Sequence, residues 1–475
     1  MRVRLPHGAA FATLLGLVSI ATGCGVPDEP ANLPPAIACN PNVPLFIDAT
    51  ATVSFDERHM LCIRVKMKPD KFDELRVQNR FGAENDRIAQ DLIERIVSSC
   101  TEPFPNAFTW FQADIEVDGV PMSRVGIRKK GFVGSVIGDG FFKPSLKIKT
   151  DKHTKGQKLG DTERITVNNQ TGDRTRINTC MAYHVFRRAG YPAPLCNMAS
   201  VMMDGKPLGA FAHVEAVKKP MMKRLFGTNK GSLYEGTLAD FSEEATFGFP
   251  DGQLGHWDPK SDDTDAKGRP LMGIVEALRQ PDDKLIAALD KVMDVPLFVR
   301  FWALEALIGH GDGYASNRNN FYVYFNPSDG GRAVFIPWGA DTVFGEDTGE
   351  EAPGGGFGGY NSAELPRRLS RIETTRAMFE KEMRQLLKSA WNEAALKSAI
   401  DIFAKQVGTA QDDDGYQEAI GTMKDWIDAR RAIVLKQLEN GVARGSAHPG
   451  GCSGAPGFDF RTTGLDFWSW LTFAW

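Results

Sequence analysis

The sequence predicts an α+β fold in two lobes, a sheet-rich amino-terminal lobe over residues 46–215 and a helical carboxy-terminal lobe over 216–446. Three observations predict it. Short segments of alternating apolar and polar residues crowd the first half, a 3.6-residue apolar period dominates from Asp282 onward, and an acid-bearing loop follows a strongly apolar helix between the two. At 475 residues, 42% hydrophobic and 24% charged, the chain is long enough to bury a large core. Its formal net charge of -4 excludes a general nucleic-acid binder, which needs a dense basic surface to neutralise phosphates.

The elements follow in chain order. Arg2 and Arg4 precede an apolar run, Ala9 to Ala21, that is too short to span a bilayer and ends at Cys24. Residues 1–23 therefore resemble a bacterial lipoprotein signal peptide, with Cys24 the lipidated residue; a plain secretory signal and a cytoplasmic protein are the other readings. Gly25 in place of Asp omits the usual inner-membrane retention cue, so the resemblance implies an exported protein lipid-anchored to the outer membrane of the envelope. Residues 24–45 are rich in proline and small polar residues and read as a flexible tether. Cys39, Cys62, Cys100, Cys180, Cys196 and Cys452 contain no Cys-x-x-Cys pair, so the pattern points away from zinc and toward disulfides whose pairing stays open.

In the first lobe, strands are expected at Ala51–Val65, Phe111–Val117, Val125–Lys130 and Leu146–Lys149, and a helix at Asp86–Val97. A second helix is expected from Arg174 to Arg188, ended by Gly190. Ala199–Met203 and Leu208–Val214 form a hairpin around Asp204–Gly205. In the second lobe, Asp282–Val292 is amphipathic, and Asp294 followed by Pro296 caps and opens a helix running to Ile308. Further helices fit Thr375–Trp391, Glu393–Lys405 and Tyr416–Glu439. Gly248–Gly268 and Thr348–Glu364 read as loops, and 447–475 as a tail.

Three segments carry candidate chemistry. Gly126 to Ser135 is a glycine-containing turn that either cradles phosphate oxygens with backbone amides or is a plain hairpin. In Lys143–Lys149, alternation puts Leu146 and Ile148 on one face and Ser145, Lys147 and Lys149 on the other, where the lysines meet anions or solvent. His310, Asp312 and Asn317 have the spacing of the H-x-D-x-x-x-x-N loop that supplies a base and a metal-binding amide in phosphoryl transfer, although Asp and Asn in a turn also satisfy backbone groups. Phe321–Phe325 and Ala333–Ile336 form a hairpin leading to a second acid, Asp341.

The ordered set of pieces is similar to the CotH kinase family, the spore-coat-protein-H-like atypical protein kinases. The pieces are Gly126–Gly131, Lys143–Lys149, Asp173 with its helix and Gly190–Ala193, Gly209–Glu215, Gly231–Tyr234, Asp312–Tyr324 and Ile336–Gly345. The resemblance implies an atypical protein-kinase-like two-lobed fold that uses ATP and Mg²⁺ to phosphorylate Ser or Thr hydroxyls of an envelope or coat protein. It implies catalytic roles for Asp312, Asn320 and Asn317, and metal binding by Asp341, Asn320 and Asp312. Nucleotide binding falls to Arg128, Lys143, Lys147 (the first choice for the phosphate-pairing lysine) and, at the hinge, Glu215, with Arg174 or Arg176 as further candidates to face phosphate. The helix from Arg174 offers no Glu to pair with that lysine. The family commonly reads Pro-Trp-Asp-x-Asp where this chain has Pro337–Trp338–Gly339–Ala340–Asp341. The missing acid leaves a second reading, a catalytically weak or inactive kinase-fold surface lipoprotein acting in adhesion or in envelope or spore-coat assembly.

Overall fold

The computed structural model describes residues 55–82, 104–135, 138–241, 254–345, 357–408 and 415–446. The signal peptide, the tether, Cys24, the tail and the expected helix at Asp86–Val97 lie outside them. The observed class is α+β.

The first half folds as a closed barrel of seven strands in the order β1-β2-β3-β4-β5-β7-β6. These are β1 (Leu61–Lys66), β2 (Phe111–Val117), β3 (Val120–Lys129), β4 (Leu146–Lys149), β5 (Arg164–Asn168), β6 (Cys196–Met203) and β7 (Lys206–Val214). Neighbours pair antiparallel except β1 and β6, which run parallel with Ile63 opposite Val201. Period-two alternation sends Ile63, Val65, Ile115, Val117, Ile127, Leu146, Ile148, Ile165 and Val167 into one apolar interior. Asp204 and Gly205 turn β6 into β7 with φ of 49° and 81°, the left-handed pair that a tight hairpin demands. Short helix α1 (Pro69–Arg76) follows β1, and α2 (Asn178–Arg188) precedes β6.

Helix α2 starts four residues later than its periodicity suggests. The Asp173 carboxylate accepts from Thr175 N (2.8 Å), Thr175 Oγ1 (2.6 Å) and Asn178 N (2.9 Å), so residues 174–177 are held in turns ahead of the first helical residue.

The second half is less purely helical than expected. It contains α3 (Lys219–Phe226), β8 (Leu233–Gly236), β9 (Trp257–Pro259), α4 (Arg269–Leu278), α5 (Asp282–Leu289), α6 (Val295–Ile308), α7 (Tyr314–Asn317), β10 (Phe321–Asn326), β11 (Arg332–Pro337), α8 (Glu364–Leu369), α9 (Glu373–Ser389), α10 (Glu393–Gly408) and α11 (Tyr416–Glu439). The four strands make a second sheet in the order β11-β10-β8-β9, so the expected loop Gly248–Gly268 carries an edge strand. Asp262, Asp263 and Asp265 of that segment lie in turns, with Asp263 paired to Lys219 (2.7 Å) and Asp265 to Arg269 (2.5 Å).

Helix α6 is apolar apart from Arg300, which pairs with Glu382, and buried Glu305, and it packs into the larger core. Asp294 caps it by accepting from Leu297 N (2.9 Å), and Gly309 ends it at φ +71°. Buried Arg430 of α11 donates to the terminal carbonyls of Leu307 (2.9 Å) and Ala306 (2.5 Å), a cation placed at the negative end of the helix. The same core includes α2 and one side of β6 and β7, so the barrel and the helical half share a wall.

Candidate active site

The loop after α6 carries the first acid. His310 is buried, and its Nε2 faces Trp338 O (3.2 Å); burial lowers the imidazole pKa to about 4, so the ring is neutral. Below the loop, buried Glu305 accepts from Tyr314 N (2.9 Å) and Ala315 N (2.8 Å). This carboxyl closes the first turn of α7 and fixes where Asp312 emerges.

Asp312 is gripped by three asparagines. Its Oδ1 accepts from Asn317 Nδ2 (2.5 Å) and Asn319 Nδ2 (3.2 Å), and its Oδ2 from Asn320 Nδ2 (2.6 Å). Asn320 also donates to Asp312 O (3.1 Å) from a left-handed backbone at φ +53°. Such a conformation outside glycine occurs where the surroundings impose it, and asparagine tolerates it best. The structure thus brings Asp312, Asn317 and Asn320 together, and adds Asn319.

The second acid arrives from β11. Trp338 N donates to Asn320 O (3.0 Å), which extends the β10–β11 ladder and carries the chain to Asp341. Asn178 at the start of α2 donates to Asp341 O (2.9 Å). Both acids keep some surface open to solvent, yet the protein crowds them. Burial, with Asp312 alongside, raises the Asp341 pKa to about 7. Burial also raises Asp312, opposed by the three asparagine amides. The charge of Asp312 is thus one of the influences that hold a proton on Asp341.

Gly339 has φ +50°, and a Cβ there would collide with Asn320 Oδ1. The space where a side chain at 339 would begin is occupied by the Asn320 amide.

The basic half of the site is the outer face of β3–β5. Arg128 pairs with Lys147, and Lys147 with Thr166, so these side chains share one face, as the alternation predicted. Lys147 is surrounded by cations. Burial first, then Lys130, Lys260 and Arg128, push its ammonium well below the usual lysine range, against Glu235. Glu235, on β8, is the carboxylate that opposes these cations. It pairs with Lys260 and accepts from Tyr322 Oη (2.8 Å), and Lys260 and Lys147 hold it ionised far below its ordinary pKa although burial opposes this. Sequence reasoning missed Glu235, because a four-residue strand has no period to place it.

Four nominated residues are engaged elsewhere. Lys143 is buried, with its ammonium 5.0 Å over the ring of Phe211 in the barrel interior. Glu215 pairs with Arg224 and accepts from Leu195 N (3.1 Å). Arg174 is exposed beside Glu418 (3.9 Å), and Arg176 donates to Gln170 O (3.2 Å).

Among the described residues, no group of three or more His, Cys, Asp or Glu side chains converges on one point. Asp312 with Asn320 bonded to it, and Asp341 whose pKa Asp312 helps to raise, are the hard oxygen donors of this part of the chain. Their mutual repulsion is what a divalent cation would relieve, and Mg²⁺ commonly uses one or two carboxylates with substrate phosphates and water completing its shell. The donor set fits.

Residues 134–434, more than half of the chain, match the model of the family described as CotH kinase protein. The chain belongs to the CotH kinase family. It is similar to Invasin CotH2 of Rhizopus delemar, 24% identical over 195 residues that cover 39% of this chain and 33% of that protein. Invasin CotH7 of the same organism is 22% identical over 273 residues, 54% of this chain and 46% of the relative. Spore coat protein homolog 1, also of R. delemar, is 22% identical over 216 residues, 43% and 35%. The matches span a third to just under half of the length of these curated relatives. Asp312, Asp341, Lys147 and Glu235 all lie within the matched span.

Proposed function

We propose that this chain is an atypical protein kinase that transfers the γ-phosphoryl group of ATP to a Ser or Thr hydroxyl of an envelope or coat protein. The observation that carries the reading is geometric: Lys130, on the strand face it shares with Arg128 and Lys147, stands over Trp338, whose loop is tied to Asn320 beside Asp312 and leads to Asp341. Phosphoryl transfer depends on positioning and on neutralising charge, and both requirements match this pairing.

In the proposed reaction the substrate hydroxyl oxygen attacks the γ-phosphorus, the bond to the β–γ bridging oxygen breaks, and ADP leaves. Asp312, oriented by its asparagines and made more basic by burial, aligns the hydroxyl and accepts its proton. Lys147, with Glu235 and Lys260 fixing its surroundings, holds the non-reacting phosphates. Asp341, Asn320 and Asp312 would hold Mg²⁺, which supplies neutralisation of the phosphate charge. The lipoprotein-like start supports export and anchoring through Cys24, with the protein substrate in the same compartment.

A second reading, a kinase-fold surface lipoprotein without turnover that serves adhesion or assembly, is favoured by Gly339. The test is incorporation of labelled phosphate from ATP with Mg²⁺ by the full mature chain, compared with Asp312→Ala and Asp341→Ala. Transfer by the parent that both variants lose supports the kinase. Transfer that survives both substitutions refutes the site assignment, and absence of calorimetric heat at millimolar nucleotide favours the scaffold.

A further inference from the structure

Lys130 is where the two halves of the site meet. It directly follows β3, and its N–H donates to Ser145 O (2.9 Å), so the pairing with the β4 side continues through it. Lying two residues beyond Arg128, it shares the outer face on which Arg128 and Lys147 stand opposite each other. Its ammonium bonds Asn168 Oδ1 at the end of β5 and stands 5.4 Å over the ring of Trp338. Trp338 belongs to the acid loop, tied to Asn320 O through its N–H (3.0 Å) and facing His310 through its carbonyl (3.2 Å). One ammonium therefore bridges the basic strands and the loop that ends in Asp341.

The neighbouring donors are not all satisfied within the protein. Arg128 Nε is buried and makes no hydrogen bond, while the guanidinium carbon sits 5.1 Å over the ring of Trp110. A buried cationic N–H without an acceptor is uncommon and points to an anion that supplies one. The row of cations from Arg128 and Lys147 to Lys130 runs toward the acids, so an oligophosphate laid along it ends at Lys130.

We propose that Lys130 contacts the terminal phosphate of a bound triphosphate chain, with Arg128 and Lys147 on the inner phosphates, and that it thereby distinguishes a triphosphate from a diphosphate. The inference deepens the nucleotide-binding reading above and rests on it for the ligand class, but not on phosphoryl transfer. A lysine at this place both orients the terminal group beside Asp341 and lessens the repulsion between that group and the acid.

The experiment is calorimetric titration of the full mature chain with inorganic tripolyphosphate and with pyrophosphate, without metal. The parent is expected to bind tripolyphosphate more tightly. Lys130→Met should weaken tripolyphosphate by about 10-fold or more, the size of one lost charge-assisted hydrogen bond, and leave pyrophosphate unchanged. Lys130→Arg, which keeps the charge, should retain the preference, and it carries the test if the methionine variant fails to fold. Equal weakening of both probes, no weakening, loss of the preference in Lys130→Arg, or no binding of either probe to the parent overturns the proposal. Lys130-dependent tripolyphosphate binding without phosphate transfer would sink the kinase reading alone.

Discussion

Gly339 shows how one residue constrains another. Its left-handed backbone at φ +50° disfavours any side chain, and an added Cβ would also strike Asn320 Oδ1. Gly339→Ala should therefore lower stability by about 2 kcal/mol, the left-handed cost alone being roughly 1–2 kcal/mol. Adding Asn320→Gly removes the collision, so the two changes together should cost less than their sum in denaturant titrations. Strict additivity would mean that the two sites do not press on each other. Glu305 gives a pH-dependent case. Burial raises its pKa from 4.5 to about 8 in the fold, so the folded state keeps a proton that the unfolded chain releases. Stability from this group is then fully present below about pH 4.5 and is lost as pH rises through about 8. Glutamine does not titrate, so Glu305→Gln should compare progressively better with the parent between pH 5 and 8.5 in urea unfolding. A difference that stays constant with pH would contradict the assignment. At this scale Asp312 and Asn317 were legible from loop spacing and the face of Lys147 from strand alternation, whereas Asn320 came only from the family resemblance. Glu305 and Glu235 were not legible, since their roles arise from which backbone amides and cations the tertiary fold brings to them.

Helix α2 is the element that joins the site to the barrel. Its first turn donates from Asn178 to Asp341 O (2.9 Å), buried Tyr183 lies within the field of Asp341, and Cys180 is disulfide-bonded to Cys196 at the start of β6. The bridge closes a short loop, with a sequence separation of 16. Replacing both cysteines by alanine should cost about 3 kcal/mol through the freed entropy of the unfolded chain. Thermal and denaturant midpoints of the double variant check it, and midpoints equal to the parent's would show that packing alone anchors α2. Several elements with a clear period have their expected bounds, β2, β4 and α11 among them, and α6 its expected cap, but of the strand expected at Ala51–Val65 residues 55–60 are not strand and β1 begins at Leu61. Residues 174–177 were misread as helix because the Asp173 carboxylate competes for their backbone. β8 and β9 are too short for any pattern, and become strands only by pairing with β10 and with each other.

At the scale of the whole molecule, a division into two lobes by composition hides a wall that two separate cores share. β6 and β7 face both ways. Met198, Ala210 and Ala212 lie in the large core with α2 and α6, while Ala199, Val201 and Phe211 lie in the barrel interior. Loss of the helical half would expose one side of two adjacent barrel strands, and those strands carry the barrel closure at β1–β6 and β5–β7. Exposure of that much apolar surface is unfavourable at roughly 25 cal/mol per Å². The barrel is therefore not expected to stand alone, and the chain should unfold in one cooperative step. Native-state hydrogen exchange checks this directly: the most protected amides of β2–β4 and of α6 and α11 should open with the same free energy and the same denaturant dependence. If the helical amides exchanged at a lower free energy while β2–β4 stayed protected, the shared wall would not couple the halves. The site would then sit across a joint between separately stable units. Coupling instead makes the approach of Asp341 to the cationic strand face a property of the single folded state, set before any ligand arrives.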